Sequence, residues 1–222
     1  MKKLEPINEM FGTSTVQRET ITQQFDIIRI YFTDEGIGGT SQHINEIEAI
    51  RSAGPQDILE INVAGNPGGS ADCIMTIINA LIETPAHTIC ILSGTNSSAA
   101  TMIPLVCSEV VVTPYTAMMC HSVSGGSYGT MANQERSAVF FSKMYSEFMA
   151  DIYEDFLSTE EIQDLKNGLE IYLNSENIQE RLERRKALLA EEDEEAGCED
   201  PTCPRHEEEE PSTEGSVVEE QQ

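Results

Sequence analysis

Three observations predict an α/β fold built around a parallel sheet. Short β-branched and aromatic runs alternate with helical patterns through three successive units. The connections between these elements are only a few residues long. Small-residue turns follow the strand ends, where ligands bind in such sheets.

The elements follow in order. IIRIYF (27–32) is a first buried strand. SQHINEIEAIRSA (41–53) carries Ile44, Ile47 and Ile50 at helical spacing and stops at Gly54-Pro55; His43 falls on its polar face. DILEINVA (57–64) is a second strand, closed by the turn GNPGGS. ADCIMTIINALIE (71–83) is a helix that Thr84-Pro85 stops, and HTICIL (87–92) is a third strand. SGTNSS (93–98) reads as a turn, and AATMIPLVC as a short helix that Pro104 bends. EVVVT (109–113) and TAMMCH (116–121) are the fourth and fifth strands. SVSGGSYGTMANQ (122–134) reads as extended, a hairpin or an edge strand, ahead of a long helix over 135–157. STEE (158–161) is a capping box that starts another helix, EIYL (170–173) a short strand, and 174–190 a last helix.

The 222 residues suit one domain with extensions. The expected organisation is an N-terminal arm over 1–25, a globule over 26–190 and an acidic tail over 191–222 too poor in apolar residues to fold alone. Net charge is −26, and 14 acids against one arginine in 187–222 put −13 of it in the tail region. The rest of the chain carries an equal excess, which argues against a phosphate-binding nucleic acid partner. No apolar run approaches the length needed to cross a bilayer, and polar residues interrupt the N-terminus before any export signal, so a cytoplasmic protein is expected. Cys73, Cys90, Cys107 and Cys120 lie in apolar contexts and read as reduced core cysteines. Arg181, Arg184, Arg185 and Lys186 sit near a predicted helix C-terminus, where cations favour the dipole. Cys198, Cys203 and His206 have zinc-ligand chemistry but irregular spacing, and a solvated tail is the better reading.

Two turns carry residues suited to chemistry. Asn66-Pro67-Gly68-Gly69-Ser70 joins a strand to a helix, where backbone amides can hold an anion. Gly94-Thr95-Asn96-Ser97-Ser98-Ala99-Ala100 repeats that arrangement one unit later and places the Ser98 hydroxyl beside free amides. Taken alone, Ser97 or Ser98 is an ordinary helix cap. His121 ends a strand at the same sheet edge, and neutral imidazole is suited to take a serine proton near pH 7. Glu170, Asp164, Asp155 and Asp151 are all candidates for the carboxylate that orients such a base.

Together these residues resemble the ClpP family of serine peptidases over about 27–182. PGGS (67–70) resembles the family's Pro-Gly-Gly turn, and Gly94 with Ser98 four residues on resembles its serine segment. Pro114 seven residues before His121, in MMCHSVSGGSYG, with glycines four, five and eight residues after the histidine, resembles its histidine segment. The resemblance implies a ClpP/crotonase-like fold of stacked ββα units with a protruding strand–helix handle. It implies Ser98 as nucleophile, His121 as base, Glu170 as third member, and the amides of Gly68 and Ala99 as oxyanion hole. Substrate would lie along Gly125, Gly126 and Ser127. Departures are Glu for Asp at the third position, Asn96 and Ser97 for two alanines, Ala99 for methionine, and a segment between Ser98 and Pro114 that looks two residues short.

The implied activity is a serine endopeptidase acting on peptides or unfolded proteins through an acyl-enzyme, with no cofactor or metal. The implied partners are copies of itself in stacked rings and an AAA+ unfoldase. The acidic tail and the departures resemble a phage-type relative, for which capsid processing is an alternative. An inactive scaffold subunit and an acyl-CoA enzyme of crotonase type are the other readings.

Overall fold

A computed structural model describes residues 25–126 and 129–196. Residues 1–24 of the expected arm, Ser127, and the Cys198, Cys203 and His206 constellation lie outside the described residues. Strands β1 (Ile27–Phe32), β2 (Ile58–Ala64) and β3 (His87–Ser93) pair in parallel. A short β4 (Thr95–Ser97) follows, and β5 (Glu109–Val112) closes a four-stranded sheet of order β1-β2-β3-β5. Burial alternates along these strands. Leu59, Ile61 and Val63 of β2, with Cys90 and Leu92 of β3, face the core. There they meet Ile47 and Ile50 of helix α1 (Ile44–Ser52) and Cys73, Ile74, Ile77 and Ile78 of α2 (Ala71–Glu83). Each such aliphatic side chain contributes about 1.5–3 kcal/mol by leaving water. The opposite face is polar in part, with an Arg29–Glu60 ion pair of 3.1 Å.

The fifth expected strand does not extend this sheet. After β5 the chain turns through Thr113–Thr116, with Tyr115 at φ 64° and 96% exposed. The buried Thr116 hydroxyl holds this turn through the Leu92 and Thr113 carbonyls. The chain then enters β6 (Ala117–Cys120), which pairs with β4 on one side and β7 (Ile171–Asn174) on the other. The supposed turn at 93–98 therefore contains a strand, too short and polar to show an apolar pattern. The helix expected after Ser98 is instead two 3-10 turns, Ser98–Thr101 and Ile103–Val106. Pro104 lacks an N–H and, in a continuous helix, would clash with the Ala100 carbonyl, so the chain restarts at Met102.

The glycine-rich segment forms no strand over 121–126, where no described residue pairs with it and a side chain at Gly125 or Gly126 would meet open space. Helix α3 spans Met131–Tyr153, beginning and ending four residues before the expected 135–157. Met131, Val139 and Phe140 stand exposed on it, while Met149, Ile152 and Tyr153 anchor its far end in the core. Among the described residues this element contributes a helix, and no strand is formed before it. Ser158 caps α4 (Thr159–Lys166) through the expected box with Glu161.

Helix α5 runs from Ser175 to Ala196, past the expected end at 190. This puts the basic cluster in mid-helix, where it serves the C-terminal end of α3. Arg185 donates to the Ile152 carbonyl, Arg184 to those of Asp155 and Phe156, and Arg181 to Phe156. His43 also departs from expectation. It lies off the polar face, against the Phe32 ring, and its Nε2 accepts from the Gly38 N–H at 3.1 Å. Cys73, Cys90 and Cys120 are buried and Cys107 half-buried; all four are free thiols.

Candidate active site

The two chemically promising turns are tied together by hydrogen bonds. Ser97 N donates to the Asn66 carbonyl at 2.8 Å, and Asn66 N donates to Asn96 Oδ1 at 3.0 Å. Asn96 Nδ2 in turn reaches the Ser93 carbonyl at 3.1 Å. Both asparagines are fully buried. Sequence reasoning treated Asn96 only as a departure from the family pattern. Its side chain proves to be the clamp between the glycine turn and the nucleophile strand.

Ser98 leaves β4 at φ 57°, in the left-handed region that costs a non-glycine residue about 1–2 kcal/mol. Such strain at a turn marks a candidate functional position. Gly68 abuts it so closely that an added Cβ would fall 2.6 Å from Ser98 Cβ and 3.0 Å from Ala99 N. Gly68 also holds φ 85°, so only glycine suits the position. Its own N–H is already donated to Asn66 Oδ1 at 2.8 Å. The next amide has a different aim. The Gly68 carbonyl accepts from Ile37 N at 2.8 Å, and a trans peptide points its N–H opposite to its C=O. The Gly69 N–H therefore points away from Ile37. The sequence offered the amides of both glycines as anion donors, and the resemblance implied Gly68 alone.

The second sheet brings the candidate side chains to one end. β4 and β6 run parallel, with Ser97 opposite Met119. β7 runs antiparallel to β6, with Cys120 opposite Ile171. Ser98 follows the last residue of β4, His121 follows the last of β6, and Glu170 precedes the first of β7. All three lie at the same end, in the order serine, histidine, glutamate across the sheet. One further step of the β6–β7 register sets His121 opposite Glu170, on the face shared by Met119 and Tyr172. Asp151, Asp155 and Asp164 belong to α3, the α3–α4 connection and α4, outside this sheet.

The side chains at this edge are not hydrogen-bonded to one another. Glu170 is exposed, and its carboxylate accepts from the Tyr172 hydroxyl. Ser98 and His121 are half-buried, and neither the Ser98 hydroxyl nor the His121 ring has a hydrogen bond to another described residue. Beneath the site, Thr101 Oγ1 donates to the Ser98 carbonyl at 2.7 Å. Among the described residues no group of three or more His, Cys, Asp or Glu side chains could hold a metal ion. None of the described helices is long and apolar enough to cross a membrane.

A mixed α/β chain with a serine on a strained strand-end turn, packed on a glycine turn and sharing a sheet edge with a histidine, has the framework of a ClpP-like peptidase. The family model of the Clp protease matches residues 20–200, and the chain belongs to that family. No curated protein matches it.

Proposed function

We propose that the chain is a serine endopeptidase, with Ser98 as nucleophile, His121 as general base and Glu170 as the carboxylate that orients it. The observation that carries this reading is the order of the three residues across one end of the β4-β6-β7 sheet, with the histidine on the middle strand. His121 takes the Ser98 proton as the hydroxyl attacks a peptide carbonyl, then returns it to the leaving amine. Water releases the resulting acyl-enzyme by the same route. Ala99 N–H supplies one donor to the oxyanion. Gly68 lies against the nucleophile as the resemblance implied, but with its N–H held by Asn66 Oδ1 the turn's second donor is the Gly69 N–H. Substrate passes along Gly125, Gly126 and Ser127. The uncommitted Ser98 and His121 side chains are compatible with catalysis, since such contacts often tighten only around substrate.

Family members generally form oligomeric rings, which supports a homo-oligomeric ring here, with peptides or unfolded proteins as substrate and an AAA+ unfoldase as feeding partner. A processing role on capsid proteins uses the same chemistry.

A second reading, an inactive scaffold subunit, is favoured by the Glu170 carboxylate, which is exposed and bonded to Tyr172. A fluorophosphonate probe with peptide mapping of the adduct decides between them. Labelling on Ser98, lost in Ser98→Ala, supports the peptidase. Labelling that persists in that variant, or never occurs, overturns it.

A further inference from the structure

A cavity of about 480 Å³ opens between the segments that follow the Gly68–Ser70 turn and His121 in the chain. One wall is Ala71 and Asp72, which directly follow the Gly68–Ser70 turn; another is Ser122–Gly126, which directly follow His121. Helix α3 lines its other side with Phe141 and Tyr145, whose rings stack at 5.8 Å and 20°. On the proposed mechanism the attacked carbonyl lies between the oxyanion turn and the base, and the segments that follow these two in the chain form the walls of the cavity.

The lining decides what such a side chain can be. Asp72 is its one carboxylate, and no lysine, arginine or histidine is among the described lining residues. Asp72 Oδ1 accepts from the Tyr145 hydroxyl at 3.2 Å, which orients the carboxylate and leaves Oδ2 for an incoming donor. Val123, Ala138 and Phe141 supply apolar surface for an aliphatic stem, and the aromatic pair favours a cation over its faces. Asp72 is exposed, and a leucine side chain set against it would offer its carboxylate no hydrogen-bond donor. A glutamate would meet a like charge.

We infer that this cavity selects lysine or arginine at the residue immediately before the cleaved bond, with Asp72 as the specificity-determining group. The inference rests on Ser98 being the nucleophile. Asp72 also sits in the first turn of α2, where a carboxylate favours the helix dipole. That role would affect stability and would not set a side-chain preference.

The test uses three aryl phosphonates that differ only in this side chain: guanidino, isobutyl and carboxylate. Rates of adduct formation on Ser98 are read by mass spectrometry on the full chain. The expected result is guanidino over isobutyl by about tenfold or more, with carboxylate slowest. In Asp72→Asn the guanidino-to-isobutyl ratio falls toward one, and in Asp72→Lys the carboxylate probe overtakes the guanidino probe. Adducts on Ser98 with isobutyl equal to or faster than guanidino overturn the inference while leaving the peptidase reading intact. A preference that survives Asp72→Asn also overturns it. No adduct on Ser98 with any probe sinks the peptidase reading, and this inference with it.

Discussion

Tyr153 and Thr101, 52 residues apart, share a fully buried hydrogen bond of 2.6 Å between their hydroxyls. Thr101 has one proton, and it goes to the Ser98 carbonyl at 2.7 Å, so Tyr153 is the donor in the first bond. The last residue of α3 thus reaches through the core to hold the turn that presents the nucleophile.

Tyr153→Phe removes that donor and leaves the rest of the ring in place. The expected loss is about 1–2 kcal/mol in urea unfolding. Thr101→Val strands both the Tyr153 hydroxyl and the Ser98 carbonyl, and should cost about 2–3 kcal/mol. Both variants should slow fluorophosphonate labelling of Ser98, Thr101→Val the more. Unchanged labelling in a destabilised Thr101→Val protein would separate the core bond from the site.

Gly68→Ala places a methyl 2.6 Å from Ser98 Cβ and from the Ser97 carbonyl oxygen, at a backbone φ of 85°. Strain and clash together should cost about 1–3 kcal/mol and push the nucleophile aside. Labelling of Ser98 should fall at least tenfold, beyond what the lowered melting temperature explains. Wild-type labelling in this variant would show that the close approach has no bearing on the serine.

Asn96→Ala strands the Asn66 N–H in the interior, for an expected loss of about 1–3 kcal/mol by thermal unfolding. It should also slow labelling, since Asn66 in turn holds the Gly68 amide. A melting temperature within a degree of wild type would contradict the clamp.

Glu161 links α4 to α5 through two bonds of 2.7 Å to the Arg181 guanidinium. Arg181 holds its carboxyl down at about 2, from an ordinary 4.5, despite the opposing effect of burial. A depressed folded value means the contribution to stability is present above pH 4.5 and is lost as pH falls from there toward 2. The side chain is a quarter exposed, so after solvent screening the pair is worth about 1–2 kcal/mol. Glu161→Gln should lower stability by that amount at pH 7 and flatten the decline of stability between pH 4.5 and 2. A decline as steep as wild type in denaturant titrations over that range would assign it to other carboxyls.

Burial pushes the Cys120 thiol up to about 11 and raises Cys90 well above its ordinary value. Iodoacetamide at pH 8 should leave both unmodified in the folded protein and alkylate them on unfolding. Peptide mapping reads this directly, and native-state alkylation of Cys120 would contradict its enclosure.

Much of the fold was written locally. The β-branched and apolar runs in IIRIYF, DILEINVA and HTICIL, the helical pattern of ADCIMTIINALIE and the Ser158–Glu161 box each fix an element within a few residues of its place. The site's own residue types were legible for the same reason. Glycines at 68 and 69, a serine on a turn and a histidine at a strand end have few alternative uses when they fall in one pattern. What escaped were decisions made by partners distant in sequence. Thr95–Ser97 is a strand only because β6 lies beside it, and residues 121–126 are not one, since no described residue pairs with them. The arginines of α5 cap α3, and His43 turns inward to accept from Gly38.

The sequence alone determined the alternation of strand and helix and the chemical inventory at the turns, because periodicity and turn chemistry are properties of neighbouring residues. Only the tertiary structure decided that Glu170, and none of the candidate aspartates, joins Ser98 and His121 at one sheet end, that Gly68 spends its amide on Asn66, and that Asp72 lines a cavity with Phe141 and Tyr145. Strand pairing across tens of residues sets those relations, and it depends on which edges and faces the whole chain leaves to be satisfied.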